Sequence, residues 1–598
     1  KKESVVVMVD GVRMNSAQPQ GAIASFLDLG LLERAEVVKG PGSVLYGSDA
    51  FGGVINVITK QAPDPRAGKE FSGVARVRFG TADTSGAGRA EVSGAAGRLG
   101  LFAGFAESRF GDLAAGGGRG VQPFTGYRQS TGDLTMAVDL GKNRTLTAGI
   151  SRLKQYDVPR TDVLAAGSDR KHLWHGQGRD MAYTRFEHNR ESRFVKGLVM
   201  TAAFSRPFED LMRIQSSAPS VERFHRDHVS SAAFSVQLMT SIGAAHALTY
   251  GVDASADWVG SGRTDVDLRT GRFSARPGNY VDGSTYRNLG LFLQDEVRLT
   301  QRLDGVFGIR ADRFHLRTDP RDAFTGVVPV HNMTKALTGS GHFLFKLHRG
   351  LSLVGGLSQG FRAPNADDSG MLGSSGLRFE IPNAALEPER SVNFEYGIRS
   401  QTKSSTLSLV YFHDRYRNLI ERAPALYHGL SFLDRNGNGV REATEEAVYQ
   451  RQNLNRAQVR GIEVDSMLQV AANWTWTNLF TWTRGADRSL AQPLTRIPPI
   501  NGVSRLTWQS SHALWVEGAL VAAYSQHRLS AADMADIRIG PGGTAGYAVL
   551  HVRAGFRGSV LSGLSVSVEN VTNRRYRLHG SGFDRPGIQL IAGYERPF

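Results

Sequence analysis

Residues 474–483 read WTWTNLFTWT and decide the fold class. Trp474, Trp476 and Trp482 fall on one side of an extended chain, whereas the threonines fall on the other. Because the side chains of a β-strand point alternately to opposite faces, this stretch forms a strand with one apolar and one polar face. A soluble antiparallel sheet produces the same pattern in a single segment, so the number of such segments decides between a soluble and a membrane protein.

The alternation recurs from Phe71 to Phe598 in segments of roughly 10 residues, the length that a tilted transmembrane β-strand needs. Short turns such as 141–144 alternate with long polar loops such as 111–129, which is typical of outer-membrane barrels. No stretch reaches the roughly 20 apolar residues of a membrane-spanning helix. Closure in lipid pairs every backbone group and removes the sheet edges. We therefore predict an all-β fold, a large transmembrane antiparallel β-barrel over residues 66–598.

The amino-acid composition limits the kinds of site and ligand that the chain can have. The chain has 598 residues, with 71 Lys and Arg against 56 Asp and Glu, a formal net charge of +15 and no cysteine. The lack of cysteine excludes disulfides, thiolate metal sites and thiol nucleophiles. The positive charge favours an anionic membrane surface or anionic ligands. Basic residues are spread along the chain without a nucleic-acid-binding motif, so no nucleic-acid partner is expected. No catalytic motif stands out, and we predict that the protein is not an enzyme.

Residues 1–65 do not follow the period-two rhythm and are predicted to form a separate α+β module. Within it, a helical stretch is predicted around Ile23–Leu32. The Gly-rich run 40–53 lacks the Gly-Lys-Ser/Thr ending of a phosphate-binding loop, so we interpret it as tight turns against a neighbouring wall. The segment 61–65, QAPDP, is a stiff linker into the barrel.

Three segments of this module closely resemble the plug domain of TonB-dependent outer-membrane receptors: 9–15 (VDGVRMN), 32–47 (LERAEVVKGPGSVLYG) and 50–60 (AFGGVINVITK). Three others look like strands of the receptor barrel: 360–365 (GFRAPN), 460–464 (RGIEV) and 569–576 (ENVTNRRY). The resemblance implies about 22 strands around a lumen that holds the plug. Because family plugs are longer and begin with an energy-coupling segment, it also implies that the N-terminal half of the plug and the TonB box are missing from this chain.

The resemblance implies a receptor that captures a scarce nutrient outside the cell and imports it with force delivered by TonB and its inner-membrane energising complex. We expect a ferric siderophore or another iron carrier, since the positive charge suits an anionic metal chelate, although it suits the phosphates of lipopolysaccharide equally. A haem or cobalamin receptor of the same family is the alternative. A passive porin and a surface protein-binding receptor are alternatives from other classes. The expected location is the bacterial outer membrane, as a monomer in contact with its lipid.

Loops on a rigid scaffold commonly carry binding groups, so the ligand is expected to contact the outward plug loops. The plug residues expected to contribute are Arg13, Asn15, Ser43 and Tyr46. In the barrel, the pair 361–364 and 381–389 is similar to the paired signatures of haem receptors. Residues 365–380 lack the iron-binding histidine that those receptors carry between the signatures. The sequence therefore favours a cargo other than haem.

Two pairs of histidines form a second group of candidate ligand-binding residues. His172 and His175, and likewise His225 and His228, are predicted to lie in neighbouring loops that face outward. Pairs of imidazoles bind zinc, copper or haem iron. The alternative is that exposed loop histidines beside Arg and Lys are merely solvated.

Residues 434–445, DRNGNGVREATE, match the 12-position calcium loop, with glycine at position 6 and glutamate at position 12. The expected oxygen ligands come from Asp434, Asn436, Asn438, Val440, Glu442 and Glu445. The alternative is a turn rich in asparagine and glycine. We therefore expect a structural Ca²⁺ in an extracellular loop and no catalytic cofactor.

Overall fold

A closed antiparallel barrel of 22 strands surrounds a small sheet, which confirms the predicted fold class. The computed structural model describes residues 4–16, 26–189, 195–322, 326–375, 378–442, 445–510, 513–556 and 563–598. Within those ranges, no helix is both long enough and apolar enough to cross a bilayer. The last barrel strand pairs with the first, so the sheet has no free edge.

The plug sheet has four strands in the order β2-β1-β4-β3. Their bounds are β1 (Val6–Val9), β2 (Val12–Arg13), β3 (Leu32–Lys39) and β4 (Gly53–Thr59), with a 3₁₀ turn at Leu29–Leu31 and a short helix α1 at Ser43–Tyr46. Strands β1 and β4 are parallel, and the other pairs are antiparallel. Val9 and Val12 pack against Met181 and Tyr183 of the barrel wall, so the plug core continues into the wall.

The 22 barrel strands follow after a 3₁₀ turn at Pro65–Ala67. They are β5 (Glu70–Gly80), β6 (Ser85–Ala96), β7 (Leu99–Phe110), β8 (Tyr127–Gly141), β9 (Arg144–Pro159), β10 (Asp169–Asn189), β11 (Val195–Gln215), β12 (Val221–Ile242), β13 (His246–Asp267), β14 (Thr285–Arg298), β15 (Leu303–Thr318), β16 (Val330–His348), β17 (Leu351–Arg362), β18 (Glu389–Gln401), β19 (Ser405–Pro424), β20 (Ala447–Ala471), β21 (Trp474–Asp487), β22 (Asn501–Gln509), β23 (Leu514–Ala523), β24 (Tyr547–Phe556), β25 (Ser565–Glu569) and β26 (Gln589–Pro597).

The connections between them hold further short elements. The helices are α2 (Thr161–Ala165), α3 (Ala366–Gly370) and α4 (Ala531–Met534), and the strands are Leu113–Ala115, Gly120–Gln122, Phe273–Pro277, Arg321–Asp322, Gly326–Val327, Gly373–Ser375, Arg378–Ile381 and Gln492–Pro493.

Each strand has one face toward lipid and one toward the lumen, as the alternation predicts. On β15, Phe307 and Ile309 are exposed on the outside, whereas Arg310 and Asp312 are buried inside. The tryptophans at the start of β21 lie outside as well, because Trp474 and Trp476 are exposed. The apolar side chains therefore form an outer band and the charged side chains fill the lumen.

The two rims of the barrel differ in the length of their connections. One rim has tight turns such as 97–98 and 142–143, and the other carries long connections such as 363–388 and 425–446. Longer loops mark the extracellular side of such barrels. Strands β10–β13 have 21 or 22 residues each, about twice the span of a bilayer. Their outer halves therefore rise above the membrane and form the wall of a vestibule.

The helix predicted around Ile23–Leu32 is wrong for the part that the structure describes. Residues 17–25 lie outside the described residues, and Leu29–Leu31 form a single 3₁₀ turn. The Asp28 side chain accepts a hydrogen bond from the Gly30 amide and closes this turn. Strand β3 then begins at Leu32.

Candidate ligand-binding site

The inner wall of the vestibule carries a group of basic and aromatic side chains at the outer ends of β10–β13. Cross-strand pairing places His172, Arg213, Arg223 and Asp265 in one row and Trp174, Leu211, His225 and Arg263 in the next. Paired residues of an antiparallel sheet share a face. We call Asp169, His172, Trp174, Arg213, Arg223, His225, Arg263 and Asp265 the vestibule cluster.

Two carboxylates brace part of this cluster. Asp169 is buried and lies 2.6 Å from His172 Nδ1, and it accepts hydrogen bonds from Arg213 Nε at 2.9 Å and Nη2 at 3.1 Å. Burial raises the pKa of the Asp169 carboxyl, but Arg213 and His172 outweigh this effect and hold the pKa below its usual range. Arg263 pairs with Asp265, with Nε 2.8 Å from Oδ1 and Nη2 3.0 Å from Oδ2. These contacts fix the positions of two of the three guanidinium groups.

Among the basic members of the vestibule cluster, Arg223 and His225 remain available to bind a ligand. Arg223 donates to the side-chain oxygen of Gln215, and among the described residues it has no carboxylate in contact. His225 is 7% exposed, and its Nδ1 has no hydrogen-bond partner within the described part of the chain. Burial and the charges of Arg263 and Arg213 lower the pKa of His225 to about 4. The imidazole is therefore neutral at pH 7, next to guanidinium groups that repel one another.

The histidine pairs do not lie in loops, and this part of the prediction is wrong. His172 and His175 belong to β10, and His225 and His228 belong to β12. His172 and His225 are buried on the lumen face, whereas the His175 side chain is 69% exposed on the other face and contacts Asp157. Residues three apart on a strand fall on opposite faces, so each pair is split. Within the described ranges, no three His, Cys, Asp or Glu side chains converge as a metal site.

The four plug residues chosen from the sequence make contacts within the plug or with the wall. Arg13 Nη2 donates to Asp49 Oδ2 at 2.5 Å and to the Ser48 carbonyl at 2.7 Å. Asn15 bridges Val5 O and the Val7 amide, both at 2.9 Å. Ser43 is fully buried and Tyr46 is half-buried against the plug core. The hypothesis that these four contact the ligand stays a prediction.

The motif 360–365, which resembles a strand of the receptor barrel, forms a contact between the barrel wall and the plug. The Phe361 amide donates to Ser43 Oγ at 3.3 Å, and the Ala363 amide donates to Ser48 Oγ at 3.0 Å. The Asp49 amide donates back to the Phe361 carbonyl at 3.1 Å. Strand β17 therefore holds α1 and the turn that follows it.

Arg362, between those two amides, anchors a buried network of charges above the plug. It is 2% exposed, and it donates to Glu389 Oε2 at 2.6 Å and to Asp368 Oδ2 at 2.5 Å. Arg451 donates to Asp368 Oδ1 at 3.0 Å and to Glu380 Oε1 at 2.7 Å. The network ties α3 and the strand Arg378–Ile381 to β17, β18 and β20. Sequence reasoning missed it because its five members come from five different helices and strands.

The predicted calcium loop lies in the connection 425–446 on the long-loop rim. Asp434 accepts hydrogen bonds from the Gly437 and Gly439 amides, both at 2.7 Å. Glu445 accepts from the Arg435 and Glu442 amides, both at 3.0 Å. The Asn436 and Asn438 side-chain amides both donate to Glu442 Oε1. The Asp434 and Glu445 carboxylates are thus engaged by the loop's own amides.

Comparison with known proteins agrees with the barrel and the plug. A family model described as the TonB dependent receptor-like β-barrel matches residues 97–573, and the TonB-dependent receptor plug domain matches residues 1–54. The ferric enterobactin receptor of Pseudomonas aeruginosa is 25% identical over 93% of this chain and 78% of its own length. The vitamin B12 transporter BtuB of Vibrio vulnificus is 58% identical over 55 residues, 9% of each chain.

Among solved structures, the copper transporter OprC superimposes with a TM-score of 0.81 and 16% identity, over 100% of this chain and 90% of that one. The names of these relatives describe receptors and transporters rather than enzymes. The matched barrel model covers most of the sequence, and the outer apolar band and closed sheet meet the requirements of lipid. The chain therefore belongs to the TonB-dependent receptor family, and its barrel lies in the bacterial outer membrane.

Proposed function

We propose that this receptor binds an anionic ferric siderophore in the vestibule cluster and imports it with energy from TonB. The observation that carries the proposal is the inward pair Arg223 and His225, which have no carboxylate partner among the described residues, beside Arg263. Guanidinium groups bind planar anionic oxygens strongly, and the Trp174 ring in the next row offers an aromatic face. The iron-related name of a relative that aligns over most of the chain supports the same cargo class.

The partners follow from family membership. TonB delivers force from the inner membrane, and the bound chelate is the cargo; catalysis is no part of this function. We propose that the protein acts as a monomer; the closed barrel leaves no sheet edge to which a second copy could add a strand. A haem or cobalamin cargo is the rival within the family, and a passive porin or a receptor for intact proteins is the rival outside it.

Uptake of a panel of radiolabelled cargoes tests the proposal. Cells that express this receptor are expected to accumulate an anionic ferric catecholate while the inner membrane is energised, and to bind it without accumulation when a protonophore removes the gradient. Haem and cobalamin are expected to enter these cells no faster than they enter cells that lack the receptor. If uptake does not depend on the gradient, and liposomes that contain the receptor swell rapidly in small sugars, the protein is a porin instead.

The calcium loop remains a second proposal, which rests on the sequence motif. If Asp434 and Glu445 bind Ca²⁺, isothermal titration of the purified receptor is expected to show a dissociation constant of about 10⁻⁴–10⁻³ M, as in extracellular calcium modules. Glu445→Gln is expected to abolish the heat because it removes the bidentate carboxylate, whereas Glu70→Gln, at the start of β5, leaves it unchanged. An absence of heat with the unmodified receptor rejects the site.

A further inference from the structure

Arg179, on the lumen face of β10, is a buried arginine that contacts no carboxylate among the described residues. It is 4% exposed, and its Nη1 donates to the Met14 sulfur at 2.9 Å. Its Nε has no hydrogen-bond partner within the described ranges. A thioether is a weak acceptor, so the guanidinium has left water without gaining a strong partner. Such a group lowers the stability of a protein and calls for an explanation in its function.

The barrel provides carboxylates to its other buried arginines. Each of those in the described part of the chain pairs with two acids: Arg89 with Glu91 and Asp133, Arg310 with Asp253 and Asp312, and Arg362 with Asp368 and Glu389. The charge of Asp10 acts on Arg179 from a distance. Both Asp10 carboxylate oxygens accept hydrogen bonds from Thr59, at 2.9 Å and 2.7 Å, so they are engaged within the plug.

The position of Arg179 places it on the route from the vestibule into the lumen. His172 and Trp174 of the vestibule cluster lie on the same strand, five to seven residues nearer the outer end. That separation is roughly 17–23 Å along a strand. Met14 follows β2 of the plug and is buried against the guanidinium. A cargo that moves inward along β10 therefore reaches Arg179 when Met14 moves away.

The charge of the site determines which class of cargo it accepts. Met14 and Met181 belong to one buried cluster beside Arg179, and thioether sulfurs favour Cu(I) among the metal ions. A guanidinium 2.9 Å from the Met14 sulfur repels a metal cation, so the arrangement does not suit a bare metal ion. An anion, in contrast, supplies the partner that Arg179 lacks.

Guanidinium groups form charge-assisted hydrogen bonds with anionic oxygens, and such bonds are stronger where water is excluded. We infer that Arg179 is a second binding position for the anionic chelate on its way inward, which Met14 covers in this structure and which the cargo reaches when force on the plug moves Met14. The inference rests on the proposed function, because that function supplies the anionic cargo.

Replacing Arg179 by methionine tests this position, because methionine has a similar length and no charge. Equilibrium binding of iron(III) tris(catecholate) to the purified variant is expected to stay within about twofold of the unmodified receptor, since the vestibule cluster is distant. The maximal rate of energised uptake is expected to fall at least about tenfold at an unchanged half-saturating concentration, because a charged hydrogen bond to the moving cargo is lost. The denaturant midpoint in detergent is expected to stay the same or rise, because an unpaired buried charge is removed.

Two further variants separate charge from packing. Arg179→Lys keeps the positive charge and loses the planar fork, so the uptake rate is expected to fall by no more than about threefold. Met181→Leu conserves the volume of a buried neighbour on the same strand, and it is expected to leave binding and uptake unchanged.

The inference is overturned if Arg179→Met imports the chelate at the normal rate, or if Arg179→Lys loses as much uptake as Arg179→Met. A denaturant midpoint that falls together with the affinity would overturn it too, because Arg179 would then have a structural role. Binding and energised uptake by the unmodified receptor test the proposed function separately. If both are absent, that function fails before any variant is compared, and the inference fails with it.

Discussion

Replacing Arg223 and Arg263 by glutamine is expected to weaken binding of an anionic ferric tris(catecholate) by about 100-fold or more, because each charged hydrogen bond contributes about 1.5–3 kcal/mol. Both side chains point into the vestibule beside His225, so the substitution removes positive charge where the chelate would lie. Arg213 is left intact, since its bonds to Asp169 position the neighbouring wall. Titration of the purified receptor with the chelate, with fluorescence quenching as the signal, measures the change in affinity.

Two controls make the result specific. Arg226→Gln removes an arginine of the same strand that faces outward with its side chain 84% exposed, and it is expected to leave the affinity unchanged. A ferric tris(hydroxamate), which is neutral, is expected to bind the double variant as it binds the unmodified receptor. An equal loss for the neutral and the anionic chelate would show that the substitutions disturb the vestibule wall and that the arginines do not recognise charge.

The fold was predictable because it depends on local periodicity. The alternation at 474–483 indicates which side chains face lipid, and it is visible in one strand without knowing which strands pair with it. The same periodicity, applied to His172 and His175, would have separated the two residues onto opposite faces. That error came from treating a polar stretch as a loop, although long strands rise into water and become polar on both faces.

The site was not predictable in the same way, because its members meet through strand register. His225 and Arg263 are paired across two strands, and nothing near either residue in the sequence indicates the other. The same limit applies to the contact between plug and wall. The resemblance identified residues 360–365 and 32–47 separately, but the hydrogen bond from the Phe361 amide to Ser43 exists only once the plug lies inside the barrel.

Changing Arg362 to glutamine is expected to lower the free energy of unfolding by about 3–5 kcal/mol, the usual cost of removing one partner from a buried ion pair. The carboxylates of Asp368 and Glu389 would stay buried without the Arg362 guanidinium. Asp368 keeps its contacts with Arg451 Nη1 at 3.0 Å and the Asn365 amide at 3.1 Å, and Glu389 keeps its contact with the Ile420 amide at 2.7 Å. Denaturant unfolding in detergent measures the loss. Arg390→Gln, an exposed arginine on the facing strand, is the matched control and is expected to change stability by less than about 0.5 kcal/mol.

A double variant distinguishes a lost charge pair from general misfolding. Combining Arg362→Gln with Glu389→Gln removes a carboxylate that has lost its guanidinium, so part of the lost stability is expected to return. Hydrogen exchange shows where in the structure the stability is lost, because the amides of Phe361 and Ala363, on either side of Arg362, donate hydrogen bonds to the plug. Exchange in Arg362→Gln is expected to increase at those two amides and in the connection 363–388, while strands on the opposite wall stay protected. Uniform loss of protection would mean that Arg362 stabilises the whole barrel, and the network would then have no special part in holding the plug.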